Sequence, residues 1–229
     1  MTEGFVDSEP TSLEQPPQGL RQRVSALRTA IRTTLARHTG RSHLDRWREL
    51  ANFSERWDTR TAALATFVPP GSRVIELGAG RCVLPEYLPP GCEYTPCDLV
   101  ARAAGTVVCD LNAPVLPDFP PHDIAVCSGV LEYVHNLDRL AERLSRCCSV
   151  VVASYAVADH PAQRRIFTRR RHGWVNDYRS EELKDLFGRH GFDCVAERRW
   201  RTQSLFMFAR PLGTHEFGSE ELRARGGLR

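Results

Sequence analysis

Apolar residues recur at Leu20, Val24, Leu27, Ile31 and Leu35, a spacing that lines one face of a helix, and Gly40 ends it. A second helical stretch carries Leu44, Trp47, Leu50 and Ala51. A third runs over residues 54–67, capped by Ser54 and stopped by Pro69, Pro70 and Gly71. The period then changes. Residues 73–77 read as a short buried strand that enters Gly78-Ala79-Gly80, and similar short apolar runs follow at residues 94–97, 106–109, 124–127 and 150–153. Helical patterns separate most of them, notably Leu137, Leu140, Ala141 and Leu144 in register. Buried strands alternating with helices predict a parallel α/β sheet. After an irregular basic stretch, residues 156–179, a helix opens at Ser180 and closes at Gly191. Two strands, residues 194–200 and 204–209, lie close enough to form an antiparallel hairpin.

Composition adds limits rather than a fold. With 41% apolar and 26% charged residues the chain is ordinary globular material. The reading divides it into a disordered arm (1–19), a helical cap (20–53), a main domain (54–210) and a loose tail (211–229). No run approaches the roughly 18–20 apolar residues of a membrane span, and the first residues are acidic and proline-bearing, so a soluble cytoplasmic protein is expected. The eight cysteines form no C-x-x-C pair and several sit in apolar runs, which predicts reduced, mostly buried thiols and no metal site. Of 31 basic residues only Lys184 is lysine, and residues 21–60 carry ten arginines against four acids. Residues 21–41 contain no aromatic to interleave with those charges, so a nucleic-acid partner is not expected.

The glycine turn carries the first candidate chemistry. A strand that enters Gly78-x-Gly80 and leaves into a helix presents free backbone N–H groups, and glycine lets a ligand approach closely. A dinucleotide fingerprint would place a third glycine where Val83 stands and an apolar residue where Glu76 stands. The acids are more telling. Glu76, Asp98 and Asp110 stand at the ends of three successive strands, which converge on the crevice where open α/β sheets bind ligands.

Val74-Ile-Glu-Leu-Gly-Ala-Gly80, Asp98, Asp110-Leu111 and Ile124-Ala-Val-Cys-Ser-Gly-Val-Leu-Glu-Tyr-Val134 together resemble the successive motifs of class I S-adenosylmethionine-dependent methyltransferases, over roughly residues 54–210. The resemblance implies a Rossmann-like seven-stranded, mostly parallel sheet of order 3-2-1-4-5-7-6, its last strand antiparallel, with N-terminal helices in front. It also implies S-adenosylmethionine as cofactor. Glu76 would hold the cofactor's ammonium group, and Gly78, Ala79 and Gly80 would lie under its methionine moiety. Asp98, with Leu99 beside it, would accept from the ribose hydroxyls, a task that suits a two-pronged, acceptor-only carboxylate. Asp110 and Leu111 would meet the adenine, and Ser128 would sit near the sulfonium. Two departures stand out. Cys82 occupies a position where the family often has glycine, and only residues 99–105 separate Asp98 from the third strand, too few for the usual crossover helix.

Methyl transfer from a sulfonium is an in-line displacement in which positioning can supply about 7–11 kcal/mol. A hydroxyl acceptor also gains from a general base. The family frequently has histidine where this chain has Tyr133, so His135 and His160 are the candidate replacements. For the acceptor, the basic insert offers Arg164, Arg165, Arg169, Arg170 and Arg171, then Trp174, Asn176 and Tyr178: arginine forks suit anions and aromatic rings stack. The expected activity is methylation of an oxygen or nitrogen on a small metabolite, such as a sugar or natural-product intermediate, whose anionic form would suit the insert, with Arg171, Trp174, Asn176 and Tyr178 as acceptor contacts. A protein or RNA methyltransferase and a catalytically inactive binding module are the alternatives. The acceptor's identity and the oligomeric state are not legible in the residues.

Overall fold

The computed structural model describes residues 18–211, so most of the expected arm and nearly all of the expected tail lie outside the described residues. The sheet contains β1 (Arg73–Leu77), β2 (Glu93–Asp98), β3 (Val107–Val108), β4 (Ile124–Cys127), β5 (Val150–Tyr155), β6 (Asp193–Trp200) and β7 (Gln203–Ala209) in the order β3-β2-β1-β4-β5-β7-β6. β1 pairs in parallel with β2 and β4, β2 with β3, and β4 with β5. β7 runs antiparallel to both β5 and β6. This is the order the motifs implied, hairpin included.

Alternation along the central strands sets the two layers. Ile75, Leu77, Ala125, Cys127, Val151, Ala153, Phe206 and Phe208 point to one face, where they meet Leu137, Leu140 and Leu144 of α4 (Leu137–Ser145) and Leu183, Leu186 and Phe187 of α6 (Ser180–Arg189). Val74, Val126, Val152, Leu205 and Met207 point to the other, against Leu64 and Ala65 of α3 (Asp58–Ala65) and Leu84. Both faces are covered, as parallel strands require.

Several elements differ from expectation. α1 (Gln18–Thr39) forms and packs along α5 (Ile166–Arg171), but among its described side chains only Ala30 and Thr33 are buried, while Val24, Leu27, Ile31 and Leu35 remain 41–60% exposed. α2 (Leu44–Arg48) breaks at extended Glu49 into a short 3-10 turn, Leu50–Asn52. The helix expected over residues 54–67 is a 3-10 turn, Glu55–Trp57, followed by α3, with the Ser54 hydroxyl accepting from Arg56 N. No α-helix follows the glycine turn. Pro85, Pro89 and Pro90 leave only a 3-10 turn, Leu84–Glu86, before β2, because proline supplies no N–H to a helix interior. The β2–β3 crossover has no helix, as its length dictates. α5 forms inside the stretch read as irregular.

Candidate active site at the carboxyl ends of the strands

One cavity of about 560 Å³ opens at the carboxyl ends of β1, β2, β3 and β4, where the start of β7 also lies. Its size falls within the roughly 300–1,000 Å³ of small-molecule sites. All nine residues expected at the cofactor line it: Glu76, Gly78, Ala79, Gly80, Asp98, Leu99, Asp110, Leu111 and Ser128.

The turn after β1 is held open by its neighbours. Gly78 and Ala79 both donate to Cys97 O, at 2.8 and 3.1 Å. Gly78 and Gly80 have positive φ, 71° and 54°, and a Cβ on them would lie 2.6 Å from Val130 Cγ2 and 2.8 Å from Phe53 Cε1. Glycine is therefore required twice over, by conformation and by space. Cys82 also takes positive φ, 56°, which shows the turn accepting a side chain where glycine is usual.

Each acid has a distinct setting. Glu76 is buried on the α3 face of β1 and receives the Tyr94 hydroxyl at 2.6 Å. Burial outweighs that hydrogen bond and, with the nearby Asp98 charge, pushes its pKa up to about 8. Asp98 accepts from Gly80 N at 2.7 Å, from Val100 N at 3.3 Å and from Arg102 Nη1 at 3.4 Å. Asp110 Oδ1 accepts from Ser42 Oγ at 2.6 Å and from Asn112 N at 2.9 Å. Ser42 also receives Asn112 Nδ2 at 2.8 Å, so the loop after α1 is tied to the loop after β3 and covers this end of the cavity. Arg102 secures the same cap, stacking 5.0 Å from the Phe53 ring and donating to Trp47 O.

The catalytic and acceptor candidates divide. Tyr133 lines the cavity, donates to His172 O at 3.2 Å and packs edge-on against Trp47; burial raises its pKa, so it is a poor base. His135 lines it too, with its pKa lowered by burial, which leaves a neutral imidazole beside Arg41 O at 3.4 Å. His160 lies off the cavity, where its Nδ1 accepts from Ala162 N. Of the expected acceptor contacts only Trp174 reaches the cavity wall. Asn176 is consumed by Leu131 O, Val134 O and Tyr155 Oη, and Tyr178 packs against Tyr155 on the far side. Arg171 is exposed, while Arg169 and Arg170 are buried and both bind Asp177. Arg169 and Arg170 thus brace the insert, whereas Arg164, Arg165 and Arg171 are exposed and stand off the cavity wall.

The cavity also contains residues that the motif reading did not single out. Arg60 and Thr61 of α3 reach Ser128: Arg60 Nε to its Oγ at 3.3 Å, Arg60 Nη2 to its carbonyl at 3.2 Å, and the Thr61 hydroxyl to its Oγ at 2.8 Å. Arg60 Nη1 donates to Gln203 Oε1 at 3.3 Å, and Gln203 Nε2 in turn faces Glu132 Oε1 at 3.4 Å. His43, Gln163, Glu132 and the rings of Trp47, Phe53, Trp57 and Trp200 also line it. The signal for Arg60 was present: it lies four residues before Leu64, so it shares that helix's buried face.

The methyltransferase-domain family matches residues 44–197, and the chain belongs to it. The sheet order places it in the class I, Rossmann-like architecture of that family. Solved structures agree on the fold. Burkholderia thailandensis 1,6-didemethyltoxoflavin-N1-methyltransferase, solved with 1,6-didemethyltoxoflavin and S-adenosylhomocysteine, is 16% identical with a TM-score of 0.54 over 86% of this chain and 93% of that one. A putative O-methyltransferase from Nostoc punctiforme is 11% identical with a TM-score of 0.62 over 82% and 71%. CalO1, a methyltransferase of calicheamicin biosynthesis in its S-adenosylhomocysteine-bound form, is 16% identical with a TM-score of 0.51 over 67% of this chain, which spans only 55% of CalO1. No curated protein matches the sequence.

Proposed function

We propose that the protein transfers the methyl group of S-adenosylmethionine to an oxygen or nitrogen of a small metabolite. The observation that carries this reading is the meeting of Glu76, Asp98 and Asp110 with the Gly78–Gly80 turn in one cavity. The residues suit the cofactor. A buried Glu76 without a cation partner calls for an ammonium group, and the glycines leave space where a Cβ would not fit. Asp98 offers a two-pronged acceptor whose longer bonds, to Val100 N and Arg102, can yield to ribose hydroxyls. Asp110 Oδ2 remains free for an adenine amine, since Oδ1 takes both local donors.

When bound, the cofactor supplies an activated methyl group, so the chain's own contribution is alignment and exclusion of water. The cap from Arg41 to Trp57 and the segment from His172 to Val175 close over the strand ends, a shape that favours a small acceptor over a protein or RNA. For a hydroxyl acceptor, His135 is the base this reading retains, because its imidazole is neutral near pH 7 and lines the cavity. Incubating the protein with S-adenosylmethionine and a panel of hydroxyl and amine metabolites, with S-adenosylhomocysteine release as readout, tests the activity. Release with no acceptor in the panel, alongside undetectable cofactor binding, would reject it.

A further inference from the structure

The acceptor end of the cavity contains three buried polar groups whose hydrogen-bonding capacity is unmet among the described residues. Arg60, 9% exposed, makes no ion pair among the described residues; the buried Glu132 carboxylate acts on its charge from farther off, with Gln203 bonded to both. Its five N–H groups find three partners, Ser128 Oγ, Ser128 O and Gln203 Oε1, which leaves one N–H on each Nη. The guanidinium lies flat on Gly129, where a Cβ would overlap it, and beside the Trp57 ring at 5.9 Å. Gln163 donates one of its two amide N–H groups to Thr202 Oγ1 at 3.1 Å, and its buried Oε1 has no partner among the described residues. Glu132 Oε2 is likewise buried and unpartnered. Thr202 and Gln203 are consecutive, so the β6–β7 turn brings Gln163 and Arg60 to the same corner. That corner lies at the end of β4 and the start of β7, with β5 between them, and the end of β4 borders the glycine turn after β1.

A buried guanidinium whose counter-charge, Glu132, lies beyond ion-pair distance is under-compensated, and a site that leaves a donor fork and an acceptor oxygen open is shaped for a ligand that supplies both complements. We propose that the acceptor is a planar carboxylic acid bearing its own hydroxyl or amine: Arg60 takes the carboxylate, Gln163 Oε1 receives a donor from the same molecule, and Trp57 and Trp200 flank its ring. This inference rests on the methyltransferase reading and narrows its substrate class. It also relocates the anion site from the Arg169–Arg171 cluster, whose buried members are already neutralised by Asp177.

The test uses full-length protein saturated with S-adenosylhomocysteine and titrated with hydroxy- and aminobenzoic acids, each beside its primary carboxamide, by calorimetry. At least one acid binds about tenfold or more tightly than its amide, the value of one charge-assisted bond. Arg60→Gln abolishes that preference and leaves S-adenosylhomocysteine affinity within threefold. Equal affinity for acids and amides, or no binding of either, overturns the proposal. A large loss of S-adenosylhomocysteine affinity in Arg60→Gln also overturns it, by placing Arg60 on the cofactor's own carboxylate. If that variant does not fold, the acid-to-amide ratio in the native protein and in Gln163→Leu decides. Failure of S-adenosylhomocysteine to bind the native protein would instead overturn the methyltransferase reading, and this one with it.

Discussion

The Tyr94 hydroxyl donates to Glu76 Oε2 at 2.6 Å, from the strand beside the one that leads into the glycine turn. This bond favours the carboxylate, yet burial dominates and the group titrates at about 8. Glu76 is therefore mostly protonated at pH 7 until a cation arrives. Binding an ammonium-bearing ligand ionises it, so S-adenosylhomocysteine should bind with net proton release, and its affinity should rise as pH climbs towards about 8. Calorimetry in buffers of different ionisation enthalpy measures the release, and Glu76→Gln removes that component. Tyr94→Phe deletes the lowering hydrogen bond, so the affinity profile should move to higher pH.

The same shift sets a stability profile for the ligand-free protein. A carboxyl whose folded pKa is raised contributes fully below the unfolded value, near 4.5, and loses that contribution as pH rises to about 8. Glu76→Gln keeps an acceptor for Tyr94 without a charge to bury. Its melting temperature should match or exceed that of the native protein at pH 8, at roughly 2–4 °C per kcal/mol for a chain of this size.

Arg102 joins the cap to the sheet through Asp98, Trp47 O and the face of Phe53. Arg102→Ala should cost about 1–3 kcal/mol and accelerate amide exchange across residues 44–57 while β1 and β4 stay protected. Uniform protection in the variant would mean that the cap is held by Ser42 and the aromatic cluster alone.

Arg169 is fully buried and divides its donors among Asp177, Ala156 O, Asn176 O and the Tyr155 hydroxyl. Arg169→Gln leaves buried acceptors unmatched and should cost about 3–5 kcal/mol. Arg171→Gln, on the exposed side of the same helix, should alter neither stability nor acceptor KM. Thermal melts and acceptor kinetics on the two variants separate a brace from a binding lid.

The central sheet was legible because strands buried on both faces read as short unbroken apolar runs: Ile75 and Leu77 turn to one face and Val74 to the other, Phe206 and Phe208 to one and Leu205 and Met207 to the other. The three acids were legible because they fall at strand ends. What escaped depends on contacts that no local pattern encodes. Arg169 and Arg170 read as forks for an anionic acceptor because their partner, Asp177, lies beyond the end of α5, and the buried helix position of Arg60 does not show that Ser128 and Gln203 are its partners. The turn after Gly80 reads as a helix start, but the prolines that follow decide otherwise.

α1 gives the converse case, a clean helical stripe that predicts burial and does not receive it. Leu27→Ser or Ile31→Ser, at positions 51% and 53% exposed, should change stability by less than about 0.5 kcal/mol. Ala30→Glu, buried against α5, should cost about 1–3 kcal/mol by overpacking. Chemical denaturation of the three variants tests whether the helix packs through Ala30 and Thr33 or through its apolar stripe.

The most direct test of the cofactor site is titration of S-adenosylhomocysteine into the native protein and into Asp98→Ala. Asp98 is 8% exposed, lines the cavity and is assigned both ribose hydroxyls, each charge-assisted bond contributing about 1.5–3 kcal/mol. The account predicts saturable one-to-one binding to the native protein and a loss of at least about tenfold in the variant. Binding that is absent from the native protein, or equal in the two, would contradict it.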